Sequence, residues 1–508
     1  MSKLYKKLAA LSRKAALYES VESLLHWDQE TYMPSAANPQ RAEQSELIAS
    51  MVHKEKTSKS FTKCLGQLID LDSGHVLDSS LSAPQAGALR MWRREYLQLA
   101  RLPSAFVKKS ASTASHAIHA WAQAKKENKF ALFAPHLDKV VTLARKKAEL
   151  LGYKNHPYDA LLDLYEPGMT TVSLEKLFTT LKMGLLELFR SVRAQPSLDE
   201  SFLSSTFPVE KQVQFCKLLM EKLGLPNNKT RLDFSNHPFC TGNHPCDIRI
   251  TIRAAEDSFS LAPFATLHEA GHALYQLGLP EEHFGTPMGS PCSLGIHESQ
   301  SRWWEAFIGQ SYPFWEHCYP LLQELFPKEL TDITLEGFYR GINVVKPHFI
   351  RIESDEVTYS LHIILRFELE KALIEGSLKT KEVPEAWNHK MRELLGVTPP
   401  TDTLGCLQDI HWSMGGMGYF PTYTLGNLYA AQLFDCFTRQ FPDWNEAVTA
   451  GRLAFITEWL HEKIHRHGNT LIPTDLIRKA TGEELSERHF LTYLRKKYSL
   501  LYALPYSG

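Results

Sequence analysis

The chain has 508 residues, 44% of them apolar and 22% charged, which is ample for a sizeable buried core. Its formal net charge of −1 supplies no overall field for nucleic acid or an anionic membrane. The eight cysteines form no C-x-x-C pair, so all of them, Cys240 and Cys246 included, are expected to be reduced thiols rather than a disulfide framework.

Taken in order, the chain is helical by pattern. Over residues 1–26, Leu4, Leu8, Leu11, Leu17, Val21 and Leu25 recur at amphipathic spacing and not as the continuous apolar run of a signal peptide. No apolar run approaches the ~18 residues of a membrane span, so the protein is expected in the cytoplasm. Met33-Pro34-Ser35 breaks the chain. Helices are then expected over 39–55, 85–100, 105–128, 136–151, 173–192 and 208–223, with Phe133-Ala134-Pro135 as punctuation and Tyr158–Tyr165 leading into a turn at Pro167-Gly168. Asn236-His237-Pro238-Phe239 reads as a loop. Asp247-Ile248-Arg249-Ile250-Thr251-Ile252-Arg253 alternates apolar and polar side chains, the period of a half-buried strand. A short sheet there would offer an edge to an extended peptide.

The next stretch carries the chemistry. His268-Glu269-Ala270-Gly271-His272 is an H-E-x-x-H pattern in a segment that Pro263 can open and Gly278 and Pro280 can close. Histidines four apart on a helix of ~3.6 residues per turn point the same way, so both can reach one zinc ion. Glu269 then lies beside the metal as a candidate base. Leu267, Gly271, Leu274 and Gly278 form a separate stripe for packing. A hydrolytic zinc wants three protein ligands and an open position. Glu298, 26 residues after His272 and early in a second expected helix, is the candidate third ligand. Its neighbour His297 would point ~100° away around that helix, towards a supporting or substrate-facing place.

Beyond it, Arg302, Trp303, Trp304, Phe307 and Ile308 predict a heavily buried helix. The charged residues of 345–376 read as a solvated helix face with internal ion pairs. Residues 405–426 are rich in glycine and aromatics, which allows close backbone approach and could present His and Tyr donors to an oxyanion. From 427 onward the pattern is helical, broken at Gly468-Asn469, Pro473 and Gly482. No repeat or linker divides the chain, so residues 1–508 are expected to form a single catalytic domain.

Several motifs together resemble the carboxypeptidase Taq family of zinc metallocarboxypeptidases. They are His237-Pro238-Phe239, Asp247-Ile248-Arg249-Ile250-Thr251, His268 to His272, His297-Glu298-Ser299-Gln300 and Gln408-Asp409-Ile410-His411-Trp412. Flanking stretches such as Trp27-Asp28-Gln29-Glu30 and Gly418 to Tyr423 are similar too, so the likeness covers nearly the whole chain. The resemblance implies a mainly α fold with a deep cleft, of the neurolysin and angiotensin-converting-enzyme type, and a small antiparallel sheet beside the zinc helix. It also implies a homodimer, zinc or sometimes cobalt, and removal of single residues from free peptide C-termini with broad specificity. Position by position it gives His268, His272 and Glu298 as ligands and Glu269 as base. Arg351 would hold the terminal carboxylate. His411, Tyr419 and Tyr423 would lie near the scissile bond, and His237, Asp247 and Arg249 in the substrate-binding region. Three acids near Arg351 (Glu353, Asp355 and Glu356) are expected to hold its side chain.

Two other readings compete. An endo-oligopeptidase with the same zinc site would need no grip on a terminal carboxylate. A helical scaffold with a structural zinc would need a fourth Cys or His ligand to close the site.

Overall fold

The structure is a computed structural model that describes residues 2–505. The chain divides into two compact units. One comprises Met1–Ala100, Asp199–Ile342 and Leu433–Glu484, the other Arg101–Leu198, Asn343–Gln432 and Leu485–Gly508. Both are built mainly from helices, and the only sheet among the described residues has three strands.

The first unit opens with a helix over Lys3–Thr31, capped by Ser2, whose side chain accepts from the Tyr5 N–H at 3.2 Å. It outruns the expected end at residue 26 because Trp27 is buried and extends the packed face. Pro34 stops it, since the residue before a proline is pushed out of helical geometry. Tyr5 and Leu8 pack with Phe61, Leu65 and Trp92, and the Trp92 indole donates to Ser12 Oγ at 2.9 Å.

The sheet has the order β1 (Thr230–Phe234), β3 (Asp247–Ile252), β2 (Phe239–His244). β2 and β3 form the antiparallel pair and β1 adds to β3 in parallel, so the sheet is mixed, not antiparallel throughout. β3 follows its pattern: Ile248, Ile250 and Ile252 are fully buried, and Asp247, Arg249 and Thr251 share the other face. β1 carries no apolar alternation because its buried residue is Asp233, held by Arg231 and by the Tyr32 hydroxyl. β2, with a glycine and few apolar residues, begins inside the stretch that reads as a loop. Both β2 and β3 pack on the helix Leu261–Gly278.

In the second unit, the helix Phe130–Leu151 runs through Pro135. The proline removes one backbone bond, but Phe130, Phe133 and Leu137 are buried on either side of it and hold the turn. The helix Tyr359–Glu375 corrects the expectation of a solvated face. His362, Arg366 and Glu370 on it are completely buried. Their charges are met from inside: Asp409 pairs with Arg366 at 2.6 Å, and Glu370 accepts from Tyr158, Trp412 and the Gly418 N–H.

Candidate active site

The H-E-x-x-H helix, Leu261–Gly278, and the helix Leu294–Arg302 belong to the first unit and meet at Gly271. A Cβ there would fall 2.4 Å from the Gln300 carbonyl oxygen and 2.6 Å from the Ser301 Cα. Only glycine permits that approach, and the approach brings Glu298 to the histidines. The rest of the expected stripe packs as well, with Leu267 against Gly309 and Gly278 against His465. Glu298 Oε2 lies 3.8 Å from His268 Nε2 and 3.7 Å from His272 Nε2. One donor atom from each of the three residues falls within 4.8 Å of the other two, so two imidazoles and a carboxylate face one point. That donor set fits a catalytic zinc-type metal.

Glu269 is 5% exposed, and its Oε2 has no hydrogen-bond partner. Burial, with help from Glu298 and Glu305, pushes its pKa up to about 7. Burial would lower the pKa of His268, but the carboxylates of Glu298, Glu305 and Glu269 more than reverse this and carry it to about 9. Glu269, Glu298 and Glu305 thus gather about the two histidines, with Arg302 meeting Glu305.

His297 does not join the three. Its Nδ1 sits 2.6 Å from His272 Nδ1, and its Nε2 lies 3.0 Å from the Gln276 amide. It supports His272 from behind, and burial drives its own pKa down to about 4. The residue that sequence reasoning missed is Glu305, in the π-helical turn Trp303–Ile308. Its Oε2 lies 2.7 Å from His268 Nδ1 and accepts from Arg302 at 2.6 Å. Burial raises the Glu305 pKa, but Arg302 and His268 outweigh it and hold the carboxylate ionised at about 2. A carboxylate behind a ligating histidine fixes its tautomer and ring orientation. The available signal was spacing: Glu305 follows Glu298 by seven residues, about two helical turns.

On β3, Asp247 receives both Arg249 Nε (2.9 Å) and Nη2 (3.0 Å), and the Arg249 guanidinium lies 4.2 Å from the centre of the Trp27 ring. These two expected site residues are thus each other's partners. His237 is exposed, and its carbonyl accepts from the Ser235 hydroxyl at 2.6 Å.

The second unit holds a separate cluster. Arg351 is 5% exposed. Its Nε and Nη2 donate to Asp409 Oδ1 at 3.3 and 3.0 Å, and its Nη1 donates to the Tyr359 hydroxyl at 2.9 Å. Among the described residues, those bonds use three of the five N–H donors of a guanidinium and leave one on each terminal nitrogen. The expected escort of Glu353, Asp355 and Glu356 is not what holds it. Glu353 faces His348, Asp355 caps the backbone N–H groups of residues 346, 357 and 358, and Glu356 pairs with Lys497. Asp409, 58 residues along the chain, orients Arg351 and also receives Arg366. Tyr423 lies under the Arg351 guanidinium at 4.7 Å, and His411 Nε2 is 3.2 Å from its hydroxyl. Tyr419 completes the group, its ring 5.2 Å from that of His411. Burial lowers the His411 pKa to about 4, so its imidazole is neutral near pH 7. Gly418, at φ 92°, brings its backbone against Leu161, as the glycine density of this stretch suggests.

A family model described as the carboxypeptidase Taq (M32) metallopeptidase matches residues 7–498. The chain is 39% identical over 500 residues to Carboxypeptidase 1 of Bacillus subtilis, covering 98% of this chain and 99% of that one. It is 40% identical over 508 residues to Thermostable carboxypeptidase 1 of Thermus thermophilus, with coverage of 98% and 99%. The crystal structure of an M32 carboxypeptidase from Deinococcus radiodurans superposes with a TM-score of 0.95 at 33% identity, covering 99% of this chain and all (100%) of that one. With its whole length accounted for in this way, the chain belongs to the carboxypeptidase Taq family of metallopeptidases and is a metallocarboxypeptidase, a peptide hydrolase.

Proposed function

We propose that the enzyme is zinc-dependent and removes single amino acids from free peptide C-termini with broad tolerance, with His268, His272 and Glu298 as metal ligands and Glu269 as general base. The observation that carries this reading is the convergence of three metal donors beside a buried carboxylate oxygen with no partner. Zinc bound there supplies Lewis acidity, polarising the substrate carbonyl and lowering the pKa of a water molecule towards ~7. Glu269 accepts the proton of the attacking water and passes it to the leaving amine. With His272 Nε2 turned to the metal, its Nδ1–H donates to His297 Nδ1. That leaves the proton of neutral His297 on Nε2, 3.0 Å from the Gln276 amide, whose orientation follows the network. Glu305 accepts from His268 Nδ1–H and keeps the other ligand in the matching tautomer.

Arg351 presents its two remaining N–H bonds to the terminal carboxylate, a planar match that lysine cannot make. Neutral His411, with Tyr419 and Tyr423, donates hydrogen bonds to the peptide near the reacting carbonyl. Asp247, Arg249 and His237 contribute to substrate binding along the sheet. The breadth of specificity, the cobalt alternative and a homodimeric state follow the family resemblance. Eight free cysteines support a reducing, cytoplasmic setting. No helix among the described residues is long and apolar enough to cross a membrane.

Mass spectrometry of a free and a C-terminally amidated peptide, each incubated with zinc-loaded enzyme, tests the proposal. Expected are successive single-residue losses from the free peptide, little change in the amidated one, and loss of activity on chelation that zinc restores. Internal fragments from both peptides would overturn it in favour of an endo-oligopeptidase.

A further inference from the structure

The hairpin between β2 and β3 turns through Pro245 and Cys246. At that turn, one donor atom from each of His244, Cys246 and Glu281 lies within 4.8 Å of the other two. Cys246 is an exposed free thiol and Glu281 is exposed. The His244 ring is not loose: it packs edge-on against Phe284 at 4.5 Å, and its Nδ1 accepts from the Cys246 N–H at 3.2 Å. That hydrogen bond leaves Nε2 as the nitrogen available to a ligand. None of the three residues belongs to the catalytic donor set, and none is needed for the hydrolytic reading above.

We propose that His244, Cys246 and Glu281 form a second divalent-metal site, one that takes zinc or a similarly soft ion and clips the β2–β3 turn to the exit of the H-E-x-x-H helix. The chemistry of the donors carries the choice of ion. A thiolate with an imidazole selects zinc-like metals, whereas magnesium and calcium prefer oxygen donors alone. On binding, the Cys246 thiol gives its proton to solvent and its sulfur forms the metal bond, beside an imidazole nitrogen of His244 and a carboxylate oxygen of Glu281. The two negative donors then balance the two positive charges of the ion. Exposure leaves the fourth position to water, so the site is exchangeable rather than closed. The topology supplies the consequence. Glu281 lies just past Gly278, where the H-E-x-x-H helix ends, and His244 and Cys246 flank the turn of a hairpin that packs on that same helix. A metal bridging them ties the hairpin turn to Glu281, whose ion pair with Lys229 is long at 3.9 Å.

Cobalt(II) titration of the full-length protein, kept reduced by a phosphine, tests the site. The catalytic donors contain no sulfur, so a near-ultraviolet sulfur-to-cobalt charge-transfer band reports a thiolate ligand, which Cys246→Ser assigns. The wild-type protein should bind a second equivalent of cobalt with that band. Cys246→Ser should lose both while retaining peptide hydrolysis. His244→Ala and Glu281→Ala keep the thiol but lose a partner, and each should raise the half-saturating cobalt concentration by at least ~10-fold, since even outer-shell changes cost ~10–100-fold. A wild-type protein saturated with cobalt and showing no such band overturns the site. So does a band that survives in Cys246→Ser, or one whose half-saturation is unmoved in both His244→Ala and Glu281→Ala, which would mark a solitary thiol.

Discussion

Two buried ionic clusters, one in each unit, are built on opposite plans. The cluster around His268 is left open. It gathers Glu269, Glu298 and Glu305 about two histidines, and it leaves one Glu269 oxygen without a partner. The cluster around Asp409 is closed: one carboxylate takes Arg351 on Oδ1 and Arg366 on Oδ2, with Gln408 and Tyr359 filling in. A buried polar atom without a partner is costly, so an open cluster is completed by what binds in it, whereas a closed one holds its own side chains in place. On the proposed function, the first does the chemistry and the second aims a guanidinium.

That contrast breaks most visibly at the base. Glu269→Gln preserves shape and the metal donors but removes the proton acceptor. Hydrolysis should fall by ~10²–10⁴-fold with the metal still bound. Turnover within a few-fold of wild type, measured alongside metal content, would remove Glu269 from the mechanism.

In the closed cluster the corresponding change acts on stability. Asp409→Asn leaves two buried guanidinium groups without their shared counter-charge, and should cost ~3–5 kcal/mol in chemical denaturation at neutral pH. The effect has a pH signature. Burial pushes the Asp409 pKa up, but Arg366 and Arg351 pull it far further, well below the usual carboxylate range. A depressed folded-state pKa gives stability that is present in full above the unfolded value of ~3.9 and is lost as pH falls below it. Wild-type protein should therefore lose this contribution only in the acid range, and Asp409→Asn should show a flatter slope there. Equal slopes would mean that Asp409 is not the counter-charge.

The same contrast decides what could be read from sequence. The metal cluster is mostly local. His268, Glu269 and His272 share two turns of one helix, and Glu298 comes at the first opportunity for a second helix to return. Helical geometry and zinc chemistry therefore pointed to four residues that the structure brings together. The Arg351 partner was misassigned for the complementary reason. Three acids lie within five residues of it, yet its counter-charge is 58 residues away, and only tertiary folding brings Asp409 to it. The burial of His362, Arg366 and Glu370 was hidden in the same way, because charges neutralised from other segments look solvated in a linear pattern. β1 escaped because its buried side chain is an aspartate. The helices that were read, whose apolar period is set within each segment, have ends displaced by a few residues, and the short ones at Lys59–Gly66 and Leu335–Gly341 were not read.

Glu305 stands between these cases, within two turns of Glu298 yet invisible to a motif. Glu305→Gln keeps a hydrogen-bond acceptor for His268 but removes the charge that polarises it. Metal affinity should weaken by ~10–100-fold in equilibrium dialysis, with full activity regained at saturating metal. Unchanged affinity would show that the Glu305 carboxylate serves only to pair with Arg302.

The smallest expected effect concerns the guanidinium itself. Arg351→Ala removes the proposed grip on the terminal carboxylate, and the closed cluster makes the test clean. Arg366 still donates to Asp409 through Nε and Nη2 at 2.8 and 2.6 Å, so truncation does not strand the acid. Two outcomes then separate. If Arg351 only fills the cluster, the variant loses some stability, and its preference for free over amidated peptides is unaltered. If it holds the substrate, kcat/KM for free peptides falls while that for amidated peptides barely moves, because an amide cannot use the contact. A charge-assisted hydrogen bond contributes ~1.5–3 kcal/mol, so the ratio of the two rates should shrink by at least ~10-fold. An unchanged ratio would transfer the role to Arg249. Its guanidinium is already matched by Asp247 and stacked on Trp27, and it would have to release that acid before it could take a substrate carboxylate.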